Sequence, residues 1–167
     1  MIAQVKAELL KVRSTRTTLG LVLGMIALIL LFALLTGLLS KISGLSTTED
    51  QRTTLSLGSL AGVFSALAGV LLVTSEFRFG TIRPTFLFTP QRSQVLAAKL
   101  IAGLLAGLMF GVVGEGVGFA IGYLIIDARG ISFVLSGSEV TLLLLGTLAA
   151  TALWAAKIGR ASCRERV

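Results

Sequence analysis

This 167-residue chain has no histidine, one cysteine and two prolines, and only 14% of its residues are charged. Lacking histidine, it lacks the commonest metal ligand and the usual general base near neutral pH. A single cysteine, Cys163, excludes an intrachain disulfide. Charge this sparse, with 54% hydrophobic residues and a mean hydropathy of +0.94, does not suit a water-facing globular surface.

What is abundant is long apolar sequence. A helix needs about 20 apolar residues to cross the roughly 30 Å hydrocarbon layer, and four segments approach or exceed that length: 19–39, 55–74, 100–126 and 140–156. The fold class expected is all-α, a polytopic transmembrane helix bundle over residues 19–156. The first segment runs 21 residues without a charge and ends Leu-Leu-Ser-Lys. The apolar part of a cleaved signal peptide is about 7–15 residues and is followed by a small-residue cleavage site, so this segment reads as a span.

Before it, residues 1–18 place Ile2, Val5, Leu9 and Val12 on one helical stripe, with Lys6, Lys11, Arg13 and Arg16 over most of the remaining surface. Two readings stand: an amphipathic helix lying in the headgroup layer, or a plain charged leader. Orientation follows from the cations. The leader holds four, and segment 75–99 holds Arg78, Arg83, Arg92 and Lys99. The alternate loops hold Lys41 and Arg52, then Arg129. The bias predicts a multi-pass protein of the cell membrane with a cytoplasmic N terminus and a cytoplasmic 75–99 loop.

The last ten residues, Ile-Gly-Arg-Ala-Ser-Cys-Arg-Glu-Arg-Val (158–167), break abruptly from the apolar run before them. They read either as a basic end after a span or as translated adapter. The codons ATC GGA AGA GCG TCG TGT AGG GAA AGA GTG encode them and resemble a common sequencing-library adapter; an AAG codon for Lys157 supplies its first two bases. The expectation is a natural chain interrupted near Ala156, with 157–167 an artefact in which Cys163 has no role. Without that tail the balance is eleven Lys and Arg against seven Asp and Glu, a net +4. Resequencing the locus past Ala156 decides between the two.

In the third span Gly103, Gly107, Gly111, Gly114, Gly118 and Gly122 recur at intervals of 4, 4, 3, 4 and 4. They share one helix face, where a neighbouring backbone can approach closely and van der Waals packing drives association in lipid. The neighbour is either another span of this chain or a second subunit. Glu115 lies mid-span, where an ionisable group costs at least about 2.5–3.5 kcal/mol on insertion scales, so it should face protein or a water-filled path. It is a candidate for lining a substrate route, or else a protonated carboxyl hydrogen-bonded to a Ser, Thr or backbone group.

Segment 75–99 concentrates four cations, Glu76 and both prolines. Proline is unsuited to a helix interior but suits a first turn, so Pro84 and Pro90 imply two helix starts. Thr89 reads as the N-cap of a helix running through Arg92 and Lys99 into the third span. Gly80 permits a sharp turn after the second span, and Phe86 with Phe88 would form an apolar knob flanked by Arg83 and Arg92. Such a knob suits a lipid surface or a protein partner.

The run Glu76-Phe-Arg-Phe-Gly-Thr-Ile-Arg-Pro84, followed by Pro90-Gln-Arg92 and Ala98-Lys99, resembles the first cytoplasmic loop of type-2 ATP-binding-cassette (ABC) transporter permeases. The leader segment Ala7-Glu-Leu-Leu-Lys-Val-Arg-Ser-Thr-Arg16 is similar to the connecting helix that precedes the first span in that family. The resemblance implies a coupling helix docking on a separate ABC ATPase subunit. Glu76, Arg78, Gly80, Thr81, Arg83 and Pro84 would shape it, while Pro90, Arg92 and Lys99 would start the third helix. It also implies a second permease subunit, and ATP with Mg on the partner, with no cofactor in this chain. The family usually has six spans; the four here fit a C-terminally truncated fragment.

No Gly-x-x-x-x-Gly-Lys-Ser/Thr phosphate loop occurs in the chain. Within the spans Glu115 is alone, without the second acid, histidine or nucleophile–base pair an enzyme site requires. The function expected is therefore that of a permease subunit of an ATP-driven exporter, not an enzyme, with lipid and protein partners and no nucleic acid. The alternative is a small multi-pass anchor or immunity protein without a motor.

Overall fold

A computed structural model describes residues 5–10, 15–39, 47–78 and 92–164. The elements are a short helix α1 (residues 5–10), α2 (Arg16–Leu39), α3 (Thr48–Leu55), a 3-10 turn (Ser56–Leu60), α4 (Ala61–Arg78), α5 (Arg92–Ala128) and α6 (Gly137–Arg164). All regular structure among the described residues is helical. Among those residues four stretches are long and apolar enough to cross a membrane: Arg16–Leu39, Thr48–Leu72, Ala97–Ala128 and Gly137–Ile158.

The boundaries differ from the hydropathy reading where polar residues cap helices. The polar stretch before residue 55 is not loop throughout, because α3 starts at Thr48. Thr47 caps it, its hydroxyl oxygen accepting from the Asp50 amide at 3.3 Å, and Glu49 and Asp50 place negative charge in the first turn. The last helix likewise starts at Gly137. There Ser136 and Glu139 form a capping box: the Glu139 carboxylate accepts from the Ser136 amide at 2.9 Å, and the Glu139 amide donates to the Ser136 hydroxyl at 3.4 Å. The helix continues through Arg164, so the backbone does not mark Ala156 as an end.

α5 stops at a glycine in the left-handed region, Gly130, with φ of 63°. The Gly130 amide donates to Asp127 O at 2.9 Å and the Ile131 amide to Ile126 O at 3.2 Å, the paired bonds of a Schellman ending. Ile126 is buried with Leu55 and Leu135, and Ile131 packs on that cluster, which is the apolar contact such endings carry.

The deeper core joins α2, α4 and α5 through Met25, Ile29, Ala61, Ala68 and Phe110. Outward faces carry Leu30, Leu34, Leu142, Leu145, Leu153 and Trp154, as a lipid-facing surface requires.

Candidate functional site

Six of the seven glycines of α5, all but Gly116, face the chain's own helices. A methyl group on Gly107 would stand 2.8 Å from Thr151 O and 2.9 Å from Ala152 Cα of α6; on Gly111 it would meet Leu148 at 3.0 Å. Gly103 faces the same helix more loosely, 3.8 Å from Ala155 O. Beyond the three-residue interval the neighbour changes. Gly114 faces Ala61 and Gly58, Gly118 lies against the Gly58 backbone, and Gly122 against Thr54 O at 2.8 Å. α5 is thus the spine on which the second span packs along one half and α6 along the other. Ser65 donates to Thr151 O at 2.6 Å, fastening α4 to α6 directly.

Glu115 sits where these contacts meet. It is 3% exposed, and a methyl group on Gly58 would come within 2.9 Å of its carboxyl carbon, so the bare Gly58 backbone makes the room it occupies. Thr147 of α6 faces the carboxyl. That hydroxyl gives its proton to Leu143 O (2.9 Å) and Leu144 O (3.0 Å), and neither Glu115 oxygen has a hydrogen-bond partner among the described residues. An open apolar groove lies where α2 meets α5, lined by Leu30, Ala33, Leu34, Ile121 and Ile125; Glu115 does not line it.

At the end of the bundle where α5 begins, Lys99 Nζ stands 3.6 Å from Glu8 Oε1 of α1, both side chains only about a tenth exposed. α1 is therefore held against the base of α5. Its inward face is Glu8 with half-buried Val5 and Leu9, while Lys6, Ala7 and Leu10 are exposed. The apolar stripe of the leader thus includes an acid whose partner is remote in sequence. Ile2 and Val12 lie outside the described residues, as do Gly80, Thr81, Arg83, Pro84, Phe86, Phe88, Thr89 and Pro90. Glu76 and Arg78 belong to the last turns of α4, Arg92 opens α5, and Lys99 already lies in its membrane-crossing stretch.

The opposite end is tied by polar contacts that the sequence reading missed. Gln51, fully buried, donates from Nε2 to Ser132 O at 2.8 Å and accepts from the Val134 amide at 3.0 Å. One amide side chain therefore bonds both an acceptor and a donor of the irregular segment 131–136, using its N–H and its C=O together. Arg52 pairs with Glu139 at 3.3 Å across the surface. Arg129 donates to Gly37 O, one of the last carbonyls of α2, which have no partner within the helix. Gln51→Ala is expected to destabilise the bundle by about 1–2 kcal/mol, because two part-buried hydrogen bonds to the backbone at Ser132 and Val134 are lost together. The measurement is the melting temperature in detergent beside Arg52→Ala, whose exposed, solvent-screened ion pair contributes little; equal losses would show that the clamp carries no special weight.

No protein-family model, no curated protein and no solved structure matches this chain.

Proposed function

We propose that the chain is a membrane-spanning permease subunit of an ATP-driven ABC exporter, moved by a separate ATPase subunit that docks on the 75–99 segment, with a second permease subunit completing the pathway. The observation that carries this reading is the Glu76–Pro84 motif placed directly before α5. The packing supports it mechanically. α5 is a single 37-residue helix, about 55 Å long at 1.5 Å per residue, so displacement at its base reaches the far end. Along its length it touches the second span and α6 through glycines, contacts smooth enough for small sliding between packed helices. α1 is joined to that base by the Glu8–Lys99 pair, so leader and α5 would move together. ATP and Mg would be held by the partner.

Co-expression with an ABC ATPase encoded beside this reading frame tests it. The ATPase is expected to co-purify with the wild-type chain and to be lost, by at least about tenfold, from R83E/F86E, which reverses a charge and removes an apolar side chain at the proposed dock. Undiminished capture by the double variant, with its elution from size exclusion unchanged, sinks the docking assignment. Absence of any ATPase partner for the wild-type chain favours the motorless anchor instead.

A further inference from the structure

Glu115 is left over from the mechanical reading, and its surroundings ask for a ligand. The carboxyl lies against Gly58 in the 3-10 turn and Thr147 of α6, while Met25 of α2 and Ala61 of α4 pack on the neighbouring Gly114. None of these is a cation. On its own helix the nearest charged residues, Lys99 and Asp127, are about 24 and 18 Å away along the axis, and Arg52 and Glu139 stand at the end of the bundle. The Thr147 hydroxyl lies within hydrogen-bond distance of Leu143 O and Leu144 O of its own helix, and its single rotatable proton brings no net charge to balance a carboxylate. Both carboxyl oxygens are buried without a hydrogen-bond partner among the described residues. A carboxylate so placed needs a positive charge, a proton or a small cation, to balance it.

The backbone opposite is also unusual for mid-membrane. Ser56–Leu60 interrupts the α-helical course of the second span with a 3-10 turn, a departure that often marks functional positions, and non-α backbone beside a buried acid is a recurring way to hold small cations in membranes. Among the described residues no three His, Cys, Asp or Glu side chains come together, so a multidentate divalent site is not built here.

We infer that Glu115 and Thr147 form an interior binding site for a small monovalent cation, held either as the acid proton of Glu115 or as a sodium-sized ion bridging the carboxylate and the Thr147 oxygen. The site stands on its own geometry and does not depend on the transport reading. Dicyclohexylcarbodiimide, an apolar reagent that partitions into the bilayer, distinguishes the two occupants. A protonated carboxyl adds across it: the oxygen bonds to the central carbon, the acid proton goes to one nitrogen, and acyl migration to nitrogen leaves a stable N-acylurea that retains the whole reagent.

The full-length chain in lipid nanodiscs would be labelled in choline buffer from roughly pH 5 to 9, a range that brackets shifted carboxyl groups, with and without sodium, and mapped by peptide mass. Modification at Glu115 in choline, absent from Glu115→Gln, is expected. If the occupant is a proton, labelling falls as pH rises and ignores sodium. If it is an ion, sodium suppresses labelling at fixed pH. In either case Thr147→Val moves the half-point by about tenfold, the weight of one good polar contact, and Thr147→Ser leaves it in place. Glu115 unlabelled at every pH in choline, or labelled without regard to pH and sodium, overturns the site. The wild-type arms decide this even if a variant fails to fold.

Discussion

Gly118→Leu is expected to destroy the monodisperse bundle, while Gly116→Leu, two residues away, leaves elution and thermal stability unchanged. A methyl group at Gly118 would lie 2.7 Å from Gly58 Cα and closer still to its amide nitrogen, whereas nothing stands within 4 Å of one at Gly116. The obstacle at Gly118 is backbone, which cannot rotate aside, so the second span must be pushed off α5. Overpacking usually costs about 1–3 kcal/mol, and a rigid obstacle places this case at or above the upper end. In lipid the loss is harder to recover, since close packing and not expulsion from water holds helices together. Both variants replace glycine by a better helix former, worth up to about 1 kcal/mol. Intrinsic propensity therefore cannot explain a loss confined to one of them. Heating in detergent followed by size-exclusion chromatography reads the difference, and equal stability of the two variants would refute the close approach.

The second large effect concerns the Glu8–Lys99 pair. Removing one member of a buried ion pair strands the other, at a cost of about 3–5 kcal/mol, whereas replacing both with apolar residues is often neutral. Glu8→Leu and Lys99→Met are each expected to lower stability on that order, and the double variant to recover at least half of the summed loss. Burial also makes the effect resistant to salt. The melting temperatures of the four proteins form a cycle whose coupling should be at least about 3 kcal/mol, the upper end for residues in contact. Additive losses would mean that the two residues act separately and that the leader is not pinned to α5. On the proposed coupling role, the double variant also separates stability from transmission: it should fold yet transmit ATPase movement less well if the charge pair itself aligns α1.

Much of the fold is legible in the sequence because a bilayer imposes a simple demand. Stretches free of charge and long enough to cross it must be helical, so the four spans and the all-helical class follow from hydropathy alone. Local chemistry carries further signals that hydropathy smooths over. Ser136 with Glu139 is a capping box written in the sequence, and Gly130 two residues past the end of α5 is a helix stop, yet both sit in a polar stretch that a window average reads as plain loop.

Other features have no local signal. Gln51 stands between Asp50 and Arg52 like any polar loop residue, and its burial is decided by segment 131–136, more than 80 residues away. Glu8 resembles one more charge in a charged leader until Lys99 is brought beside it. At Glu115 the sequence allowed a hydroxyl partner without naming it; the fold brings Thr147, 32 residues on, to the carboxyl.

By itself the sequence determined the spans, the one glycine face of the third helix and the isolation of a single acid within the membrane, since each depends only on residue type and helical period. Tertiary structure alone decided which helix covers each half of that face, which polar groups are clamped at the bundle ends, and that the acid is buried against Thr147 and the bare Gly58 backbone. Those outcomes depend on how distant segments cross and on where their hydrogen bonds already go.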